Sequence, residues 1–324
     1  MLYDSIIIGA GPGGISAAVE LIENGVDKSK ILILEKEAEH SFSIKKYYPD
    51  NKLVTANYKG FEAKAIGNLS FADCSKDEYI NFMDEIIKKY QLNIKYNEVV
   101  HEIDKLEDGT FLVQTDKDYF SKTVVIAIGI LGKPKKPDYK IPASLNKKIF
   151  FDVSDLKEVS DNDILVVGGG DSAAEYVQYF LKLNNRIALS YRGTEFKRMN
   201  KFNLQDTLDS IKNNKITLFM PSNIKEIKDE NDKIGVYFVE EQFGVKYFDF
   251  IVYALGGTTP KGFLDKIGIH CGNGQPCLQD NFETNLPGLF ITGDLGAGPK
   301  GGSIIRAFNI SKKVADEICQ IYLK

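Results

Sequence analysis

Two glycine-rich turns, each set between a short apolar run and a stretch of helical period, leave this chain few folds. Ser5-Ile6-Ile7-Ile8 is a β-branched apolar run that reads as a buried strand. Gly9-Ala10-Gly11-Pro12-Gly13-Gly14 follows, and Gly9, Gly11 and Gly14 fit G-x-G-x-x-G. Ile15, Ala18, Val19, Leu21 and Ile22 then recur at helical spacing, and Gly25 stands where a helix C-cap is expected. Ile31-Leu32-Ile33-Leu34 is a second buried strand, ending at Glu35. In such a unit one glycine permits the turn, one lets a pyrophosphate approach the backbone, and one lets helix and strand pack closely. The helix N-terminus faces the phosphates, and the acid at the strand end accepts from ribose hydroxyls.

The device recurs at mid-chain. Asp163 to Val167 reads as a strand, and Gly168, Gly170 and Ala173 fit G-x-G-x-x-A within Gly168-Gly169-Gly170-Asp171-Ser172-Ala173-Ala174-Glu175. Tyr176, Val177, Phe180 and Leu181 continue as a helix, and Ile187 to Tyr191 is the returning strand. Here no carboxylate waits for a ribose. Tyr191-Arg192 stands in its place, with Lys197 and Arg198 soon after. A guanidinium suits a 2′-phosphate, because it is always charged and binds bidentately. The first unit therefore looks built for an adenosine ribose and the second for NADP. Bound FAD and visiting NADPH are the economical pair.

Further segments agree. Thr123 to Gly129 and Ile251 to Gly257 are matching strands that end in small-residue turns, as expected where backbone crosses close to a cofactor. Gly132 to Pro137 and Gly256 to Pro260 read as linkers. The expected architecture is α/β, with two Rossmann-like three-layer dinucleotide-binding domains. Residues 1–116 and 254–324 would form a discontinuous FAD domain, and 117–253 an inserted NADPH domain. Near the C-terminus, Gly288 to Ile291 is a strand followed by Gly293-Asp294, a glycine-rich loop from Gly296 to Gly302, and a helix from about Ser303 to Tyr322. Asp294 can accept from a ribitol hydroxyl, and the helix start at Ser303-Ile304 can stabilise charge on a reduced flavin. The expected FAD site is Gly9, Gly11, Pro12, Gly13 and Gly14, with Glu35, Lys36 and Val100. It is completed by Ala127, Gly129, Gly293, Asp294, Ser303 and Ile304. The expected NADPH site is Gly168, Gly170, Asp171, Ser172, Ala173 and Glu175, with Tyr191, Arg192, Lys197, Arg198 and Gly256.

Composition removes other classes. The chain has 324 residues, enough for about two domains. Its formal net charge of -4 argues against a nucleic-acid footprint. No run of about 18 apolar residues suggests a membrane span, and Asp4 with no basic n-region argues against a signal peptide. Cys74, Cys271, Cys277 and Cys319 are too few for a disulfide scaffold, so a reducing cytoplasm is expected. His270, Cys271 and Cys277 lack zinc spacing, and no metal is expected. Tyr47, Tyr48 and Tyr58 lie near the expected flavin loop and read as packing residues. The cations Lys133, Lys135, Lys136, Lys197, Arg198 and Lys201 read as a solvated face, with flavodoxin docking as the alternative.

The order GAGPGG, Glu35, VVIAIGI, VVGGGDSAAEY, VYALGG and GLFITGD resembles the low-molecular-weight thioredoxin reductase superfamily over nearly the whole chain. The resemblance implies a loop near Lys52 to Gly60 against the isoalloxazine, domains that rotate to bring NADPH to the flavin, and a homodimer. One departure matters more. At the positions of that family's redox Cys-x-x-Cys stand Phe151 and Ser154, and the chain holds no C-x-x-C. Without a dithiol, thioredoxin reduction by the usual route is chemically excluded. Two groups without the dithiol are similar. One is the bacillithiol-disulfide-reductase-like group, through Tyr191 to Phe196, although Gly13 stands where its reactive Cys is expected. The other is the flavodoxin:quinone reductase group, through Gly132-Lys133-Pro134, Tyr139 to Pro142, Tyr191-Arg192 and Tyr253 to Gly257. Thioredoxin-reductase-like ferredoxin–NADP reductases also lack the dithiol but typically carry a C-terminal extension, whereas this chain stops at Lys324 after its last helix. The resemblance implies an NADPH-dependent flavoprotein oxidoreductase. Hydride would pass to flavin N5, and electrons would be exchanged with flavodoxin or a quinone. The alternatives are a disulfide reductase using another thiol and a redox-sensing binding protein.

Overall fold

The computed structural model describes residues 1–48, 53–56, 63–130, 134–156, 158–257, 260–298 and 303–324. The chain divides into two compact units, Met1–Lys133 with Thr258–Lys324, and Pro134–Gly257. Among the described residues no helix is long and apolar enough to cross a membrane.

The first unit is built on a mainly parallel sheet. The strand Leu2–Ile8 pairs on one side with Ile31–Leu34 and on the other with Asp118–Ile126, placing Ser5 opposite both Ile31 and Thr123. Leu289–Ile291 extends the sheet beyond Val124 to Ile126. These strands are apolar on both faces because both faces are covered. On one face the helices Pro12–Glu23 and Ile304–Glu317 bury Ala17, Ala18, Leu21, Val314 and Ala315 against Ile7, Ile33 and Val125. On the other, the antiparallel strands Glu102–Lys105 and Phe111–Gln114 bring Ile103, Phe111 and Val113 onto Ile6, Leu32 and Val124. The result is three layers. The long strand Asp118–Ile126 pairs antiparallel at its start and parallel at its end. Its pairing sets it wholly in the first unit, whereas the sequence reading placed residues 117 onward in the second.

The second unit repeats the plan. Its sheet runs in the order Ile216–Phe219, Arg186–Ser190, Asp163–Val167, Phe250–Tyr253, Ile149–Phe150, with every pairing parallel. The helix Asp171–Lys182 covers one face with Ala174, Val177 and Phe180. An antiparallel sheet of Ile224–Glu230, Lys233–Phe238 and Val245–Phe248 covers the other with Ile227, Ile234 and Val236.

Candidate functional site

In the first unit, tight backbone packing explains most of the opening glycines. Gly9 has φ +105°, and a Cβ there would lie 2.6 Å from the Ala127 carbonyl oxygen. A Cβ on Gly14 would lie 1.9 Å from the Gly9 oxygen. One on Gly13 would lie 3.0 Å from Gly293 Cα. Gly11 is different, since nothing stands within 4 Å of its absent Cβ. It is the N-cap of the first helix, with Pro12 behind it, and it opens into a cavity of about 370 Å³.

That cavity gathers the expected residues. Gly9, Gly11, Pro12 and Gly13 line it from the glycine turn, and Glu35, Lys36 and Val100 from the strand ends. Ala127, Gly129, Gly293, Asp294 and Ile304 complete the wall. Two expected residues do not line it. Gly14 is buried beneath the turn, and the Ser303 hydroxyl caps the last helix by accepting from the Arg306 N–H at 3.1 Å. Glu35 is buried and already oriented. One oxygen accepts from the Ala10 N–H at 2.7 Å and the other from the Glu37 N–H at 3.0 Å. Asp294 lies in the first turn of a short helix, Gly293–Ala297, which takes in Gly296, the expected start of the glycine-rich loop. Its carboxylate has no hydrogen-bond partner among the described residues, and burial pushes its pKa up to about 6.

Several contributors were missed. The helix Phe42–Tyr47 brings Phe42, Ile44 and Tyr47 to the wall, with Ser41 and Tyr48 at its ends, and Phe263 joins them. Their sequence, SFSIKKYY, has no glycine signature, so no local signal marked it beyond the tyrosines already noted. Ser311 was missed too. Its buried hydroxyl lies 2.8 Å from both the Gly13 oxygen and Thr292 Oγ1, tying the glycine turn to the strand before Asp294. Of the expected flavin loop, Lys52 and residues 57–60, including Tyr58, fall outside the described residues, as do Gly132, Lys133, Thr258, Thr259, Gly301 and Gly302.

The second unit builds its turn alike but fills it differently. A Cβ on Gly168 would meet the Ala254 oxygen at 2.6 Å. Gly170 caps the helix Asp171–Lys182, which carries Ser172, buried Ala173 and Glu175 in its first turns. A Cβ on Gly169 would strike the Tyr191 ring at 2.3 Å, so this glycine is a seat for the tyrosine. Tyr191 in turn stacks on Phe196, centroids 5.4 Å apart and planes 16° apart. Arg192 is exposed beside it. Lys197 pairs with Glu195 at 2.7 Å, and the Arg198 backbone bridges to Gly170. Gly256, with φ +83°, accepts from the Lys135 N–H at 2.9 Å. Where a thioredoxin reductase has its dithiol, Phe151 stacks on Tyr253 at 5.5 Å, and Ser154 opens a 3-10 turn. The segment His270 to Cys277 forms a small hairpin, Cys271–Gly272 with Gln275–Pro276. Among the described residues no three or more His, Cys, Asp or Glu side chains are grouped for a metal.

Two sheets, one mainly and one wholly parallel, each with a glycine turn leading into a helix at its carboxyl edge, define a tandem dinucleotide-binding oxidoreductase fold. Residues 6–293 match the family model described as pyridine nucleotide-disulphide oxidoreductase, and the chain belongs to that family. It is a flavoprotein oxidoreductase whose cofactors are FAD and NADP(H). It is 26% identical to a ferredoxin–NADP reductase of Ignicoccus hospitalis, covering 92% of each chain. A ferredoxin–NADP reductase of Bacillus subtilis is 25% identical, with 91% of this chain and 84% of that one covered. Among solved structures, the bacillithiol disulfide reductase of Staphylococcus aureus superposes with a TM-score of 0.84 at 21% identity, over 99% of each chain. The Lactococcus lactis thioredoxin reductase gives 0.78 at 23% identity, also over 99% of each. At such identities these two speak for the fold alone.

Proposed function

We propose that this enzyme exchanges electrons between NADP(H) and a small electron carrier, through FAD held in the first unit and NADP(H) visiting the second. The carrier we favour is a flavodoxin, with a quinone as the small-molecule counterpart. The kinship to proteins named ferredoxin–NADP reductase supports a one-electron protein partner.

The first-unit cleft has what FAD requires. Gly11 leaves open space at the helix N-terminus, where a pyrophosphate sits. Glu35 presents an oriented carboxylate for ribose hydroxyls. Asp294 is a half-buried carboxylate without a partner among the described residues, and a ribitol hydroxyl would satisfy it. Gly129, Gly293 and Ile304 would close around the ring system, and Gly14 would hold the helix close to the strand. When bound, FAD supplies the redox chemistry, taking two electrons as hydride and passing them on singly. The protein's residues bind, align and keep water out. In the second unit Gly168, Gly170, Ser172 and Ala173 would cradle the NADPH pyrophosphate, and Arg192 and Arg198 would meet its 2′-phosphate.

The observation that carries this reading over disulfide reduction is the state of the thiols. Phe151 and Ser154 replace the dithiol, and no cysteine lines the cavity. Burial pushes the thiols of Cys74, Cys271 and Cys319 above their ordinary pKa, away from the reactive thiolate. The free state of all four cysteines also accords with a cytoplasmic setting. A homodimer is part of the proposal, and light scattering on the purified protein tests it. The activity is tested by anaerobic stopped-flow. NADPH should bleach the flavin, and oxidised flavodoxin or a soluble quinone should restore it. Re-oxidation by a low-molecular-weight disulfide alone would overturn the reading.

A further inference from the structure

Asp171 sits in the first turn after the second glycine turn, beside the expected pyrophosphate, where a free carboxylate would repel the ligand. The fold engages it elsewhere. Its Oδ1 accepts from the Asn200 backbone N–H at 2.6 Å and from Asn203 Nδ2 at 2.9 Å. Glu175, one turn further along, accepts from the same Nδ2 at 3.5 Å. Asn200 is itself the N-cap of the helix Lys201–Lys212, accepting from the Asn203 N–H at 2.9 Å. Asp171 thus anchors the start of that helix.

The segment leading into that helix carries the cations. Phe196 is held by its stack on Tyr191, and the Arg198 backbone is bridged to Gly170. The charge of Lys197 is engaged by Glu195, whereas Arg198 is exposed and has no ion pair among the described residues. Arg198 is therefore the cation whose backbone is fixed to the glycine turn, two residues before the Asn200 N–H that Asp171 grips.

We propose that Asp171 is a positioning residue for nucleotide discrimination. By holding Asn200 and Asn203, it keeps the Arg198 backbone against Gly170, so that the guanidinium is pre-set for the 2′-phosphate of NADP(H). The proposal rests on the reading of the second unit as the NADP(H) site. Pre-organisation is the physical basis. A loosened segment would have to be ordered when the phosphate binds, at a cost in affinity that a nucleotide without the phosphate does not incur.

The test is calorimetric titration of the flavin-loaded protein with 2′,5′-ADP and with 5′-AMP, which differ only in that phosphate. Asp171→Ala should weaken 2′,5′-ADP roughly tenfold and 5′-AMP less than about twofold. Asp171→Asn keeps Oδ1 and should restore the preference. Asn203→Ala removes one donor and should give a smaller loss in the same direction. An unchanged preference in folded Asp171→Ala overturns the proposal, as does an equal loss for both ligands. If Asp171→Ala does not fold, an unchanged preference in Asn203→Ala overturns it. If the wild-type protein shows no preference for 2′,5′-ADP, the reading of the second unit has failed beneath it.

Discussion

Asp294 is the residue where burial and ligand chemistry conflict most plainly. Its carboxyl titrates at about 6 in the fold, against 3.8 ordinarily, because burial penalises the charge. Protonation therefore favours the folded state at low pH. That contribution is complete below about pH 4 and drains away as pH rises to about 6, leaving a cost on the order of 2–3 kcal/mol at neutrality. Flavin-stripped protein should lose stability across this window, and Asp294→Asn should flatten the dependence. Urea midpoints at pH 4.5 and 7 check it, and identical slopes in the two proteins would refute it. Glu35 makes the second prediction at this scale. Removing its carboxylate strands the Ala10 and Glu37 N–H groups and deletes the ribose acceptor. Glu35→Ala should purify with well under half the wild-type flavin content, read from the ratio of visible to ultraviolet absorbance. Glu35 was legible because strand-end position and residue type coincide. Ser311 was not, because its contact with Gly13 spans nearly the whole chain.

At the scale of elements, local signals carried far. Ser75 and Glu78 form a reciprocal capping box at the start of the helix Lys76–Tyr90, whose Tyr79 and Met83 pack in one cluster with Ile44 and do not themselves line the cavity. Ser75→Ala should lower stability by about 1 kcal/mol and leave the NADPH oxidation rate unchanged. A shifted melting curve beside a matched rate would confirm that division. Gly169 tests the second turn. Gly169→Ala places a methyl against the Tyr191 ring, so Tyr191 must leave its seat and its stack on Phe196. NADPH affinity should then fall, readable as a raised KM for NADPH in acceptor reduction. Both glycine turns were readable as motifs, yet a motif does not say what fills it. One glycine was expected for the turn, one for pyrophosphate access and one for close helix packing. Gly9 with its positive φ, Gly11 facing open space and Gly14 against the Gly9 oxygen agree with those roles, whereas Gly13 packs on Gly293 and Gly169 seats a tyrosine.

For the molecule as a whole, the decisive experiment concerns the thiols. A variant with all four cysteines replaced by serine should reduce the carrier at near wild-type rate, while a thiol-based disulfide reductase would lose its activity. Steady-state NADPH consumption separates the two. What the sequence by itself determined is the repeated strand–glycine turn–helix unit, the acid in one copy and the cations in the other, and the missing dithiol. These are short-range patterns, set by helical and strand periodicity and by residue identity, and they need no distant partner. Only the tertiary structure decided that the strand Asp118–Ile126 belongs to the first sheet, since pairing with Leu2–Ile8 and Leu289–Ile291 is a long-range event. The same holds for the Ser311 tie, for the cavity wall formed by Phe42 and Tyr47, and for Asp171, which grips a second helix. Such contacts join residues far apart in the chain, and they are set by which surfaces can be buried together.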